Sequence, residues 1–329
     1  MNPDIRCTVL AGGVGAARLL RGLVLAIEPT NITAIVNTAD DVVMHGLNIS
    51  PDLDTVTYTL AGQDNTETGW GLVGETWQAM EMVKRYGGVD WFNLGDRDLG
   101  THMFRTQRLR EGAALHEVTT EITTAWGIGA RLIPVTNDRV ETRVTVVDEG
   151  EIGFQDYFVR RHHDVAVSNV RFVGVETAKP APGVLEAISD ADVVIVAPSN
   201  PIVSIGPLLA VAGITEALQS RRDSTVAVSP IVGGKALKGP AERLMRELGV
   251  EPSPVGVAGA YAHVASTLVI DSVDAEHAPA VEDLGIRCVV TDTVMQTPDI
   301  AADLCRTIIA AVTNTAIDTN TTIDEVAPS

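Results

Sequence analysis

The chain has 329 residues, of which 45% are hydrophobic and only 4% aromatic, a composition typical of a parallel sheet covered by helices. Its formal net charge of -19 argues against a nucleic-acid polymer or an anionic membrane as a partner, so any anionic ligand must be held by local groups. The three cysteines, Cys7, Cys288 and Cys305, are too scattered for a zinc motif or a disulfide framework. We expect a cytoplasmic protein, because the first strand leaves no room for a signal peptide and no apolar run reaches transmembrane length.

The first feature along the chain is a strand that passes through glycines into a helix. Residues 6–10 are predicted to form a buried strand, and apolar side chains at helical spacing follow the glycines. Gly12, Gly13 and Gly15 allow an anion to approach the backbone at the N-terminus of this helix, and Arg18 adds a guanidinium one turn later. The pattern is neither a G-x-G-x-x-G fingerprint nor a P-loop. It indicates a phosphate or nucleotide site, with a plain strand–helix turn as the alternative.

Beyond this unit, predicted strands alternate with predicted helices. The strands expected in the same sheet are 33–37, 192–197, 224–229 and 267–270. The helices expected in the first half are 69–87, 101–110 and 114–126. Between these helices and the strand at 192–197 the alternation of strands and helices stops. Short strands at 132–135, 142–147, 154–159 and 170–175 predict a hairpin-like antiparallel segment there.

This order of elements predicts an α/β fold, a doubly wound Rossmann-like parallel sheet with a small antiparallel β insertion. The Rossmann-like core is expected to comprise residues 1–130 and 176–329, the insertion residues 131–175, and a frayed tail about residues 315–329. In such a sheet, ligands bind at the carboxyl ends of the strands.

Acidic side chains follow the second predicted strand, at this edge of the sheet. Asp40 and Asp41 come directly after the strand, and Asp52 and Asp54 come shortly afterwards. If the latter pair lies on an extended segment, both carboxylates project to the same side, a common arrangement for holding Mg²⁺ together with substrate phosphates. We therefore predict Mg²⁺ ligands at all four aspartates. The alternative is an Asx turn in a solvated loop.

A second polar cluster lies at the start of the helix predicted for 101–110. Asp96, Arg97, His102 and Arg105 fall within ten residues, and the two arginines are predicted to clamp a phosphate. Asp98 alone is explained as a helix cap. His102 is better explained as a hydrogen-bonded structural residue than as a general base.

Two further loops follow strands of the second half. Ser199 and Asn200 offer neutral donors and acceptors suited to a base, a ribose or a phosphate. Ser229 opens a loop that contains Gly233 and two lysines, which favours an anion over an ordinary surface loop. No hydrolase motif is present.

Taken together, these segments resemble the CofD/FbiA family, the transferases of deazaflavin coenzyme F420 biosynthesis. In family order, the matching segments are 11–18, 37–41, 45–47, 50–55, 94–98 with 101–102, 154–156, 197–201 with 204–206, and 229–233. They extend over nearly the whole chain.

The resemblance implies an enzyme that transfers a phospho-three-carbon acid, phosphoenolpyruvate or 2-phospho-L-lactate. The acid passes from a guanosine-diphosphate-linked donor to the terminal ribityl hydroxyl of the deazaflavin FO (7,8-didemethyl-8-hydroxy-5-deazariboflavin), and GMP leaves. The resemblance also implies a requirement for Mg²⁺ and a homodimer. The type of glycine-rich loop favours phosphoenolpyruvate as the acid.

The resemblance implies that Asp54 and Asn93 contact FO, and we expect Asp96 and His102 on the same side of the site. Asp52, Asp54 and Arg97 are the expected catalytic residues. The residues expected to bind the donor are Gly12, Gly13, Gly15, Arg18, Ser199, Asn200, Ser229 and Gly233.

Two other classes of protein are also compatible with the sequence. The opening segment 10–15 also resembles nucleotidyltransferases of the sugar-nucleotide pyrophosphorylase type, which release pyrophosphate from a nucleoside triphosphate. The gluconeogenesis factor family shares the expected fold and contains non-catalytic nucleotide-sugar sensors. A sensor has no need to keep Asp52, Asp54 and Asp96 together, and this chain has all three.

Overall fold

A seven-stranded parallel sheet forms the centre of the computed structural model, which describes residues 4–66 and 69–321, with side chains through residue 313. In spatial order its strands are β14 (Arg287–Thr291), β13 (Thr267–Asp271), β10 (Thr225–Val228), β9 (Val193–Val196), β1 (Cys7–Ala11), β2 (Ile32–Val36) and β5 (Arg131–Pro134). Every neighbouring pair is parallel. The predicted sheet is confirmed.

Helices cover both faces of this sheet. Those in the first half are α1 (Gly13–Ala26), α2 (Pro51–Leu60), α3 (Gln78–Arg85), α4 (Asp98–Arg110) and α5 (Leu115–Ala125). Those in the second half are α6 (Val184–Asp190), α7 (Gly206–Ala210), α8 (Ile214–Ser220), α9 (Ala241–Glu247), α10 (Pro254–Tyr261), α11 (Ala278–Glu282) and α12 (Pro298–Thr321). Val9 packs into the core beneath α1 and α12, whereas the next residue, Leu10, packs into the core beneath α6, α8 and α10. This alternation along one strand creates the doubly wound arrangement.

Three small antiparallel sheets lie outside the main one. They are the hairpin of β3 (Val42–Met44) and β4 (Leu47–Ile49), the set β6 (Glu141–Val146), β7 (Gly150–Gly153) and β8 (Val167–Val173), and the pair β11 (Ile231–Val232) and β12 (Lys235–Ala236). Among the described residues no single helix is long and apolar enough to span a bilayer. One bent pair, Pro201–Ala210 with Ile214–Ser220, passes on length and composition alone.

The predicted antiparallel strands need two corrections. The strand predicted at 132–135 is β5, which pairs in parallel with β2, so antiparallel pairing begins only at β6. A short apolar run is equally suited to either kind of strand. The segment predicted as a strand at 154–159 is instead helical around Asp156–Arg160. Phe154 stacks on Phe158 with ring centroids 5.5 Å apart, as side chains four residues apart do on a helix.

One other predicted boundary is wrong, and the predicted tail lies partly outside the described residues. The helix expected over 69–87 is confined to α3, because Gly69, Gly71 and Gly74 adopt positive φ angles that interrupt a helix. The tail expected to fray from about residue 315 is helical as far as Thr321, and residues 322–329 lie outside the described residues.

The contact between α1 and α12 yields a stability prediction. A Cβ on Gly22 of α1 would lie 2.4 Å from the backbone carbonyl carbon of Ala301 in α12. We expect Gly22→Ala to lower the free energy of unfolding by about 1–3 kcal/mol, because the helices must separate. Gly100→Ala in α4 is the matched control: its Cβ would meet nothing within 4 Å, so a gain of up to about 1 kcal/mol is expected. Urea denaturation followed by circular dichroism measures both. Equal stabilities of the two variants would contradict the packing.

Candidate active site

The loops after β1 and β9 meet where the strand order of the sheet reverses, the position at which such folds bind ligands. The hydroxyl of Ser199 donates to the carbonyl oxygen of Gly12 at 2.7 Å. A Cβ on Gly15 would lie 2.3 Å from the carbonyl oxygen of Pro198, and a Cβ on Gly12 would lie 2.8 Å from the Cβ of Ser204. Gly12 and Gly15 are therefore required by the close approach of these two loops, in addition to any ligand.

Asp52 lies against the N-terminus of α1, the place predicted for a phosphate. Gly13 opens the helix with a φ of +70°, and its N–H donates to Oδ1 of Asp52 at 2.9 Å. The side-chain amide of Asn37 donates to Oδ2 of Asp52 at 3.0 Å. Burial raises the pKa of Asp52 to about 6, although these two hydrogen bonds oppose the rise. Arg18, one turn into the helix, is exposed and has no ion pair within the described residues.

Asp52 and Asp54 do not project to the same side, and this corrects the prediction. Both lie in the first turn of α2 rather than on an extended segment. Residues two apart on a helix face different directions. Asp52 therefore faces α1, whereas Asp54 faces α4, where Arg105 binds it.

Asp40, which is buried, and Asp41, which is half-buried, lie beside Asp52. Ser50 donates to Oδ2 of Asp41 at 2.6 Å, but Oδ1 of Asp40 and Oδ1 of Asp41 are buried without a hydrogen-bond partner in the described part of the chain. Burial raises the pKa of both carboxyls well above the usual range, and the charge of Asp52 raises it further. None of these three aspartates forms an ion pair with a described Lys or Arg.

Asp54 belongs to a separate buried network with α4. Nη1 of Arg105 donates to Oδ2 of Asp54 at 3.1 Å, and Nη2 donates to the other oxygen. Nδ1 of His102 lies 3.6 Å from Oδ2 of Asp54, and Nε2 lies 3.3 Å from Oδ2 of Asp98. The hydroxyl of Tyr58 donates to the second oxygen of Asp98. The guanidinium of Arg105, which was predicted to clamp phosphate oxygens, holds the carboxylate of Asp54 in this structure.

The spacing of residues in the sequence does carry a signal for this network. Asp54 and Tyr58 are four residues apart on α2, and Asp98 and His102 are four residues apart on α4. Such pairs share a helix face, so two facing helices bring all four together. Burial opposes ionisation of Asp98, yet the hydrogen bond and charge of His102 hold its pKa below the ordinary value.

The two clusters differ in what they offer a metal ion. Ligand atoms of Asp54, Asp98 and His102 all lie within 4.8 Å of one another, a spacing that a metal site allows. However, Arg105 already occupies both oxygens of Asp54. Asp40, Asp41 and Asp52 supply only oxygens, the ligands that Mg²⁺ prefers, and two of these oxygens are unpartnered.

Two further residues predicted near FO, Asn93 and Asp96, and the predicted catalytic residue Arg97 have no hydrogen bond or ion pair to Asp54 in the described structure. Asp96 accepts hydrogen bonds from the backbone N–H groups of Gln78 and Ala79 and so stabilises the start of α3. The guanidinium of Arg97 donates to a backbone carbonyl of the preceding loop. Asn93 is exposed on the same loop.

One buried side-chain donor in the second-half loops has no hydrogen-bond partner among the described residues. Asn200 accepts hydrogen bonds from two backbone N–H groups, while its Nδ2 is buried without a partner. The hydroxyl of Ser229 donates to the carbonyl oxygen of Ile231 and accepts a hydrogen bond from the backbone N–H of the same residue. The N–H of Gly233 donates to the carboxylate of Asp274 at 3.0 Å. Of the four predicted donor-binding residues in these loops, Ser199, Asn200, Ser229 and Gly233, only Asn200 has a hydrogen-bond donor without a partner in the described part of the chain.

The chain is similar in sequence to one known protein family over nearly its whole length. The sequence profile of the family described as 2-phospho-L-lactate transferase CofD matches residues 7–311. The chain is 45% identical over 312 residues to a phosphoenolpyruvate transferase of Kitasatospora aureofaciens, covering 93% of this chain and 97% of the relative. It is 41% identical over 317 residues to the protein of that name in Mycolicibacterium smegmatis, covering 92% and 97%.

Among solved structures, a crystal structure of a UPF0052 family protein from Bacillus halodurans superimposes with a TM-score of 0.59. The match covers 93% of this chain and 99% of that protein at 17% sequence identity. At this identity the likeness shows a shared fold and nothing about shared chemistry.

Proposed function

The chain belongs to the family of 2-phospho-L-lactate transferase CofD and is a transferase of coenzyme F420 biosynthesis, and on this premise we propose its reaction. It transfers a phosphoenolpyruvyl group from a guanosine-diphosphate-linked donor to the terminal ribityl hydroxyl of FO, with release of GMP. Support for phosphoenolpyruvate comes from the relatives, which are named phosphoenolpyruvate transferases. The family expected from the sequence is confirmed.

The observation that carries the proposal is that the first turn of α2 faces two separate environments. Asp52 faces the N-terminus of α1 and the neighbouring carboxylates of Asp40 and Asp41. Asp54 faces α4 and Arg105. A transferase with two substrates needs two such subsites on either side of the transferred phosphorus. We assign the donor to the side of Asp52 and the acceptor to the side of Asp54.

On the donor side, we propose that Asp40, Asp41 and Asp52 hold Mg²⁺. Their fit rests on the unpartnered oxygens of Asp40 and Asp41, because buried carboxylates without a cation are costly. When bound, Mg²⁺ neutralises charge on diphosphate oxygens. Asp54, also predicted as a ligand, is left out of this set because Arg105 holds both of its oxygens.

On the acceptor side, Asp54 accepts a hydrogen bond from the ribityl hydroxyl of FO. Arg105 and His102 keep its carboxylate in one orientation, which is the positioning that phosphoryl-type transfer requires. As the hydroxyl oxygen bonds to the phosphorus that carries the acid, the bond from phosphorus to the GMP oxygen breaks. The hydroxyl proton passes to Asp54. His102 itself is only 1% exposed, so we propose a positioning role for it.

The other predicted residues keep narrower roles. Asn93 remains a proposed FO contact, and Asn200 a proposed donor contact through its unpartnered Nδ2. Asp96 and Arg97 support the loop before α4 and act through its shape. The homodimer implied by the family resemblance is retained in the proposal, and sedimentation velocity measures it.

The reaction is tested by mass spectrometry after mixing the protein with FO, Mg²⁺ and each of the two candidate donors. We expect FO to gain an enolpyruvyl phosphate, with one GMP formed per product. Preference for the phospholactyl donor would contradict the assignment of the acid. Pyrophosphate release from a nucleoside triphosphate without modification of FO would indicate a nucleotidyltransferase. Binding of nucleotide sugars without turnover of either donor would indicate a sensor.

The donor assignment also predicts the effect of Arg18→Ala. Arg18 is exposed beside the N-terminus of α1, so its loss leaves the core intact. We expect about tenfold weaker binding of GMP, as for a lost charge-assisted hydrogen bond, and unchanged binding of FO. Calorimetry on each ligand measures this, with Arg85→Ala on the exposed end of α3 as a control. Loss of FO binding with intact GMP affinity would show that the two subsites are reversed.

A further inference from the structure

The sequence motif at 154–156 has no part in either subsite proposed above. It lies between β7 and the helical turn that follows, within residues 140–178, which we call the β6–β8 segment. Phe154 packs into a small apolar core, whereas Gln155, only 8% exposed, makes a contact outside that core. Its side-chain amide donates to the backbone carbonyl oxygen of Asp40 at 2.8 Å, across 115 positions of the chain. The motif therefore connects the β6–β8 segment to the loop that carries two of the proposed Mg²⁺ ligands.

Two further contacts join the same segment to this loop, residues 37–41. The backbone N–H of Thr142 in β6 donates to the carbonyl oxygen of Ala39 at 2.8 Å. The side chain of Ala39 packs in a buried apolar cluster with Val140 and Ala178, at the two ends of the segment. One side-chain hydrogen bond, one backbone hydrogen bond and one apolar contact thus hold two consecutive residues of the loop.

Asn37 holds the loop from the side of Asp52. Its side-chain oxygen accepts a hydrogen bond from the N–H of Ala39 at 2.9 Å, while its amide donates to Asp52. The loop therefore lies between Asn37 and the β6–β8 segment. Neighbouring carboxylates repel one another, so without these contacts the loop would move to separate Asp40 and Asp41 from Asp52.

The hydrogen bond from Gln155 is the contact nearest to the carboxylates that a side-chain substitution can remove. It is buried at both ends, and a buried carbonyl oxygen that loses its donor is costly to leave unpaired. The backbone of Asp40 would then shift toward another donor and carry its carboxylate with it. Partners that orient metal ligands in this way are typically worth about tenfold to a hundredfold in metal affinity.

We propose that Gln155 is a positioning residue for the Mg²⁺ site, and that the β6–β8 segment holds the loop of Asp40 and Asp41 ready to bind the ion. Gln155 acts through the backbone of Asp40 and touches neither the ion nor a substrate. The inference rests on the proposed function, since the Mg²⁺ site is part of it. It gives the antiparallel segment a role in the reaction although that segment supplies none of the proposed ligands.

The test is binding of Mn²⁺, which takes the same oxygen ligands as Mg²⁺, to the full chain at neutral pH. The electron paramagnetic resonance signal of free Mn²⁺ is the readout, and Mg²⁺ is the competitor. Gln155→Met keeps a side chain of similar length without the amide and is expected to weaken Mn²⁺ binding about tenfold or more, with FO binding unchanged. Gln155→Asn keeps the amide on a side chain too short to reach the carbonyl, so the same weakening is expected if Gln155→Met does not fold.

Thr8→Val is the matched control, because the buried hydroxyl of Thr8 also donates to a distant backbone carbonyl, that of Ala187 at 2.6 Å. We expect Thr8→Val to lower the midpoint of urea denaturation as Gln155→Met does, and to bind Mn²⁺ as the wild type does. Asp52→Asn removes a proposed ligand and shows how a direct loss registers in the assay.

Wild-type Mn²⁺ affinity in the folded Gln155 variants, with weakened binding in Asp52→Asn, would overturn the positioning role and leave the proposed Mg²⁺ site in place. Equal weakening in Thr8→Val and Gln155→Met would also overturn it, because a general loss of stability would then explain both. If Asp52→Asn binds Mn²⁺ as the wild type does, or if the wild type binds none, the proposed Mg²⁺ site is wrong and the inference fails with it.

Discussion

Asp54→Asn is expected to lower turnover by about a hundredfold or more while GMP still binds. The substitution removes the carboxylate that orients the attacking hydroxyl and receives its proton, and positioned acid–base groups contribute on the order of a hundredfold to ten-thousandfold. It also leaves the buried guanidinium of Arg105 without its anionic partner. Removing one member of a buried ion pair costs about 3–5 kcal/mol. Initial rates and urea denaturation on the same preparation measure the two effects.

A double-mutant cycle separates the two effects of this substitution. Arg105→Gln is expected to destabilise the fold similarly, because Asp54 is then the unpaired charge. The double variant is expected to be more stable than the sum of the single losses predicts, since no charge remains unpaired. Its activity is expected to stay low, because Asp54 is still absent. Recovery of activity in the double variant would assign Asp54 a purely structural role.

The free energy of unfolding is expected to depend on both pH and Mg²⁺. In the absence of Mg²⁺, the free energy of unfolding is expected to fall as the pH rises from about 4 to 7. Burial raises the pKa of Asp52 from its ordinary 3.8 to about 6, so over this interval the folded state holds a proton that the unfolded chain has lost. Its stabilising contribution is complete below the unfolded pKa and is lost as the pH passes the folded one. For Asp52 the loss is on the order of 3 kcal/mol, and the pKa values of Asp40 and Asp41 are raised in the same direction.

Mg²⁺ is expected to reverse this loss at pH 7 and to have little effect at pH 5, where the carboxylates hold protons. Asp52→Asn is the control, and its stability is expected to vary less with pH and to respond less to Mg²⁺. Thermal unfolding at several pH values, with EDTA or with Mg²⁺, measures both. An equal response to Mg²⁺ in Asp52→Asn and in the wild type would place the metal elsewhere, with the group of Asp54, Asp98 and His102 as the next candidate.

The sheet and the edge that carries the site were predictable because buried parallel strands have a strong local signal. β1, β9 and β10 are short runs of apolar residues, each followed by glycine or by polar side chains. The order of strands and helices then selects a doubly wound sheet, whose ligand edge follows from topology. The polar loops after these strands therefore lie at the same edge of the sheet, and those after β1 and β9 are in contact.

The geometry of Asp52 and Asp54 was predicted wrongly although the sequence held the relevant signal. Pro51 occupies the first position of α2, and both aspartates lie in its first turn. Proline and acidic residues at such positions are typical of a helix start. Treating the segment as extended placed both carboxylates on one side, whereas the helix separates them.

The pairing of Asp54 with Arg105 could not be predicted from local patterns. The two residues are 51 positions apart, and the contact depends on how α2 packs against α4. The glycine-rich loop likewise has a role that its motif does not reveal, since Gly15 is required by the carbonyl of Pro198. Such contacts follow from tertiary packing alone.

We propose that the first turn of α2 separates the two substrates, and calorimetry on two variants tests this separation most directly. With Mg²⁺ present, Asp52→Asn is expected to weaken GMP binding about tenfold or more and to leave FO binding unchanged. Asp54→Asn is expected to weaken FO binding and to leave GMP binding unchanged. Loss of the same ligand in both variants would contradict the account, because Asp52 and Asp54 would then serve one subsite.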